Sequence, residues 1–144
     1  MTDFKIITHK EGRGYSNSHF FILNKGLNSG KPLKTPCPNC FVCIVHNQHH
    51  LEQLFWLAFA LWKSTLLKKE LKGSVIPFIR INDYKKAYIG IVTPILNTNI
   101  DLNEVINLFQ QLDDQQELLS RKLFKLEQIK SLLFQKLITS SIKE

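Results

Sequence analysis

Along the last third of the chain, apolar residues return every three or four positions from Leu102 to Leu137. The series is Leu102, Val105, Phe109, Leu112, Gln116, Leu119, Leu123, Leu126, Lys130, Leu133 and Leu137, and nine of its eleven members are Leu, Val or Phe. A repeat of this kind, kept over about five heptads, predicts one long helix whose apolar seam needs a partner helix. Gln116 and Lys130 break the seam. Polar residues at such positions favour one register and one oligomeric state at a cost in stability.

The first hundred residues carry shorter periods. FKIIT (4–8), HFFIL (19–23) and FVCIV (41–45) read as strands, with the turn-rich EGRGYSNS and the long irregular stretch 24–39 between them. Asn47 is placed to cap a helix that the apolar spacing carries to a stop at Gly73. Leu51, Leu54, Phe55, Ala58, Leu61 and Trp62 share one face of it, which predicts a buried helix. VIPFIRI (75–81) and AYIGIV (87–92) read as two further strands around the polar turn NDYKK. Pro94 and the Asn/Thr stretch 97–99 form a hinge, and Asp101 or Asn103 caps the long helix. The expected fold is α+β: a mixed body over 1–96, then a hinge and a coiled-coil-forming helix over 97–144.

Composition is that of a folded chain, with 44% hydrophobic and 22% charged residues over 144 positions. That length suits one domain with an appended element. MTDFKIITHKEG has no apolar leader, and the longest apolar run, LFWLAFALW (54–62), is too short to span a bilayer. A cytoplasmic location is therefore expected, and three cysteines suit a reducing compartment. Charge changes the picture more. Residues 1–100 hold 13 Lys/Arg against 5 Asp/Glu, whereas residues 101–144 hold 6 against 7. The basic excess lies in the body, which suits a polyanion partner such as nucleic acid, or simply a basic protein without one.

Candidate chemistry is sparse. Cys37, Cys40 and Cys43 form CPNCFVC, and His46 continues the spacing. Three thiolates and an imidazole are a possible zinc set. If FVCIV is a strand, however, Cys43 and His46 point to opposite sides, which favours cysteines acting as small buried hydrophobes. GLNSGKP (26–32) has three residues between its glycines and Pro32 after the lysine, so it does not match a phosphate-binding loop. It remains a turn-rich loop whose Lys25 and Lys31, with Lys34, suit contacts to phosphates. The five histidines show no catalytic spacing and no serine sits in a nucleophile elbow, so no enzyme is expected. Phe55, Trp56, Phe59 and Trp62 suit either a base-stacking platform or, by their helical spacing, the core. Arg80, Lys85 and Lys86 suit an exposed basic edge or an ordinary solvated turn.

The order of an apolar helix, the turn Gly73-Ser74-Val75-Ile76-Pro77, the segment ending IVTP (91–94) and a heptad helix resembles one half of the DNA-specificity subunit of type I restriction–modification enzymes. Leu112–Asp113, Leu126–Glu127 and Gln135–Lys136–Leu137 follow the order found in that family's distal helix. The resemblance covers about residues 51–140, with one recognition unit and one helix where a complete subunit has two of each. It implies a non-catalytic module that recognises double-stranded DNA through a target recognition domain. Two copies, or this chain and another helix-bearing subunit, would pair through the arm. A methyltransferase would supply the chemistry, and a reduced relative on a mobile element would fit. Charge and loop position then place phosphate contacts at Arg13, Lys25, Lys31, Lys34, Lys85 and Lys86, and base contacts at Asn28 and Asn39. The alternatives are an adaptor or decoy that uses the helix without touching DNA, and a zinc-stabilised regulator.

Overall fold

The three early apolar runs form strands, and their pairing explains why they lack a clean alternation. A computed structural model describes residues 4–98 and 101–141. In it β1 (Phe4–Thr8), β2 (His19–Leu23), β3 (Pro32–Leu33) and β4 (Cys40–Val45) make an antiparallel sheet in the order β1-β4-β2-β3. The register sets Thr8 opposite Phe41, Leu23 opposite Cys40 and Ile22 opposite Pro32. Central β4 is apolar throughout because both of its faces are covered. Phe41, Cys43 and Val45 join Phe4, Ile6, Phe20 and Ile22 beneath the helices. Cys40, Val42 and Phe21 form a smaller cluster on the other face, with Tyr15, Leu33 and Cys37 packed over it.

Asn47 caps as expected. Its side-chain oxygen accepts the His49 N–H at 3.1 Å and opens a 3-10 turn that leads into α1 (Leu51–Lys63). Leu54, Leu57, Ala58 and Leu61 are the buried positions of α1, at the three- and four-residue spacing of one helical face. Trp62 stays outside this face, half-buried. The helix does not reach Gly73. It ends at Lys63, where the Ser64 hydroxyl donates to the Leu61 carbonyl and Thr65 turns to a left-handed φ of 63°. A short 3-10 helix, Leu66–Glu70, follows and buries Leu67. Gly30 has a φ of +95°, which favours glycine, and a Cβ there would also force the terminal methyl of Leu67 to shift.

The strands expected at 75–81 and 87–92 do not form. Residues 75–80 are a loop held by two isolated bridges, Lys25 with Phe78 and Lys72 with Phe78, and α2 runs from Ile81 to Leu96. The expected turn NDYKK, with Lys85 and Lys86, lies inside the first half of α2. Tyr84, Tyr88 and Val92 are buried one turn apart, a helical period that outweighs the strand preference of the β-branched residues around them. Tyr84 and Tyr88 stack with centroids 5.7 Å apart, and the Tyr88 hydroxyl donates to the Leu54 carbonyl at 2.6 Å, tying α2 to α1. Pro94 is not a hinge but lies in the last turn of α2. Asn97 and Thr98 close that end through N–H bonds to the Pro94 and Ile95 carbonyls, while Asn99, also expected in the hinge, lies outside the described residues.

The chain divides into two compact units, Met1–Leu102 and Asn103–Glu144. The first is the α+β body. The second is almost wholly α3, an unbroken 40-residue helix from Leu102 to Ser141 that starts directly after Asp101. No helix among the described residues is long and apolar enough to cross a membrane.

Candidate assembly and nucleic-acid interface

Antiparallel pairing fixes which loops meet. Thr8, Leu23 and Cys40 end or start their strands side by side, so the loop 24–31 and the residue before β4 emerge at one end of the sheet. The Asn24 N–H donates to the Asn39 carbonyl at 3.0 Å, and the Ile79 N–H donates to the Asn24 carbonyl at 2.9 Å. The Gly26 N–H bonds the Pro77 carbonyl at 2.7 Å, which fastens the loop after β2 to the Gly73–Pro77 turn. Gly73 is needed in that turn: its φ is +87°, and a Cβ would stand 2.6 Å from the Ile76 carbonyl oxygen. The fold thus brings Lys25, Asn28, Lys31, Asn39 and Arg80 to one end of the sheet. An open cleft of about 520 Å³ lies there, lined by Asn24, Lys25, Phe41, Phe78, Ile79, Arg80 and Ile81.

Four of the expected contact residues stand elsewhere. Arg13 belongs to the crossing loop between β1 and β2, with its guanidinium 5.6 Å above the Tyr15 ring. Lys34 lies on the return loop between β3 and β4, and Lys85 and Lys86 on α2. The same sheet end also presents apolar tips, with Leu27 86% and Val75 91% exposed.

Two aromatic features stand beside these residues, the first weighed from the sequence as a stacking platform or core and the second not read there as a site. The first is an aromatic ridge along α1, where Phe55, Trp56, Phe59 and Trp62 meet edge-to-face at 5.1–5.8 Å. Only Phe55 packs onto the core, and Lys31 and Lys63 bring their ammonium groups to 5.2 and 4.9 Å from the Trp62 ring. The second is a cluster on the sheet face away from the helices, where His9, Tyr15 and His19 surround Phe21 and His9 Nδ1 lies 3.0 Å from the Tyr15 hydroxyl. One consecutive stretch supplies it, the loop after β1 and then β2, but the spacing of its residues matches no familiar motif.

On α3 the predicted seam lies open. Phe109, Leu112, Leu119, Leu123, Leu126, Leu133 and Leu137 are exposed, as are Gln116 and Lys130, and Leu102 and Val105 are half-buried. Leu112, at 67% exposure, is typical. Apolar patches of such extent are rare on a monomer, which makes this row of leucines the candidate assembly surface. Glu117 and Arg121 pair along the helix one turn apart, and Lys130 pairs with Glu127 at 3.3 Å.

A family profile matches residues 6–136. The chain belongs to DUF6943, a family of unknown function. The match runs from β1 through most of α3, so body and arm are parts of one family pattern. No curated protein and no solved structure matches the chain.

Within this shared frame the cysteines are divided by the sheet. Cys43 faces the helices, whereas Cys40 lies on the opposite face with its thiol donating to the Cys37 carbonyl at 2.9 Å. His46 is exposed beyond the strand end. Among the described residues no group of three His, Cys, Asp or Glu could hold a metal ion. Burial pushes the Cys40 thiol up to about 11 from an ordinary 9.0, and pushes Cys43, Tyr84 and Tyr88 up as well. These groups are neutral at physiological pH, so the thiols are not poised as nucleophiles. Their folded pKa values are raised, so the stability they contribute is complete below the unfolded values and is lost as pH rises above about 9. Urea unfolding at pH 7, 9 and 10.5 should give a midpoint that holds to pH 9 and then falls. A midpoint flat to pH 10.5 would exclude burial of these groups.

Proposed function

We propose that the chain is a non-catalytic module that recognises double-stranded DNA with its basic body and assembles through α3, as its resemblance to half of a type I specificity subunit implies. The observation that carries this is the gathering of Lys25, Asn28, Lys31, Asn39 and Arg80 at one end of the sheet, in a body of net charge +8 over residues 1–100. Cations in loops held by a rigid sheet suit phosphate contacts, and neighbouring amides suit base edges. Arg13, Lys34, Lys85 and Lys86 would act from the flanks as general electrostatic attraction. The arm would join a second copy or another helix-bearing subunit, and a methyltransferase partner would supply catalysis. A cytoplasmic setting suits this role.

Fluorescence anisotropy with a labelled duplex over a salt series tests the reading. Affinity should fall steeply with salt, and Lys25→Ala or Arg80→Ala should each weaken binding and lower the salt slope by about one. The second reading, an adaptor or decoy that uses the arm alone, draws on the apolar tips Leu27, Val75 and Ile76 at that same sheet end, which suit a protein partner. Absence of duplex binding at low salt by a self-associating protein would select it.

A further inference from the structure

The apolar surface of α3 is wider than its seam. In a two-stranded coiled coil the a and d positions are covered and their flanks carry charge. Here Leu118, Phe124, Ile129, Leu132, Phe134 and Ile138 lie outside the seam and are exposed, Leu132 at 64% and Ile138 at 58%. At 100° per residue, the apolar positions between 118 and 138 spread over about 280°, more than three-quarters of the helix circumference. One partner helix cannot cover a sector that broad, but two neighbours, one on each flank, can.

The charges along α3 say how those neighbours run. Leu102–Leu119 contains Glu104, Asp113, Asp114 and Glu117 and neither Lys nor Arg, a net charge of −4. Ser120–Ser141 contains Arg121, Lys122, Lys125, Lys130 and Lys136 against Glu127, a net charge of +4. Acids toward the N-terminus and bases toward the C-terminus also agree with the helix dipole. Each half is about 30 Å long, well beyond the screening length at physiological salt, so the halves act as separate charges. Parallel copies would set like charges against like over the whole length. Antiparallel copies match −4 with +4 at both ends, and the match in number makes the helix complementary to itself.

From these two observations we infer that α3 enters a bundle of four helices supplied by four copies of this chain, each antiparallel to both neighbours. A ring in which every helix opposes two neighbours needs an even number of members, and four is the smallest above a pair. The inference rests on the reading of α3 as the assembly arm and extends it from pairing to a closed bundle. Light scattering on the full chain should give about four times the chain mass of 16.7 kDa. Substituting Leu118, Ile129 and Leu132 with Gln should lower the mass to a dimer while circular dichroism keeps its helical signal. Zero-length coupling of carboxylates to amines should link Glu104 to Lys136, which are about 48 Å apart in one helix and meet only between antiparallel copies. A wild-type dimer indifferent to the three substitutions would overturn the bundle and leave pairing intact. A wild-type monomer would overturn pairing as well. An assembled protein without Glu104–Lys136 links would overturn the antiparallel order.

Discussion

Replacing Leu119 and Leu126 with Asp should reduce the protein to single chains of 16.7 kDa. Both leucines lie at seam positions, at 63% and 57% exposure in the isolated chain, so their burial depends on a partner. Covering a leucine contributes about 1.5–3 kcal/mol, and an aspartate held in an apolar seam costs several more unless it finds a partner. Two such changes in each copy should weaken association by well over a hundredfold. The body buries its core without those residues, so its cooperative unfolding should persist. Light scattering read beside thermal unfolding separates the two effects. An assembly of unchanged mass would show that the seam is not the contact.

Leu54→Ala should have the largest effect on the body. Leu54 is fully buried on α1 within the core cluster beneath the sheet, and its carbonyl accepts the Tyr88 hydroxyl. Truncation leaves a cavity between elements that the neighbouring aromatic rings cannot easily fill. Such changes cost about 2–5 kcal/mol, a large share of the 5–15 kcal/mol that holds a domain of this size. Urea unfolding should show a midpoint lowered by that amount with an unchanged slope. A loss below about 1 kcal/mol would mean that the site relaxes or that the packing differs.

The elements legible in the sequence were those with a sustained period or a clear cap. The α+β class, the strands at 4–8, 19–23 and 41–45, the last of which starts one residue earlier at Cys40, the cap at Asn47 and the helix from Leu102 all belong here. The failures share a cause. In 75–81 and 87–92, β-branched and aromatic residues suggested strands, yet Tyr84, Tyr88 and Val92 place their burial on a helical period visible only across the assumed turn. Pro94 and Gly73 looked like boundaries, but α2 runs two residues past Pro94, which removes only one i→i−4 bond, and α1 ends earlier through Ser64 and Thr65. The sheet end that brings Lys25, Asn39 and Arg80 together depends on the strand order β1-β4-β2-β3, which no local spacing encodes. The aromatics of α1, which suited either the core or a stacking platform, form a half-buried ridge with Phe55 alone against the core, because the core face is filled by Leu54, Leu57, Ala58 and Leu61.

Sedimentation velocity of the full chain mixed with a labelled DNA duplex, at low and at high salt, tests the central claim most directly. The account predicts that at low salt the duplex travels with an assembly of more than one chain, and that raised salt releases the duplex while the assembly stays together. A duplex that sediments at its own rate at low salt, or one carried by single chains, would contradict it.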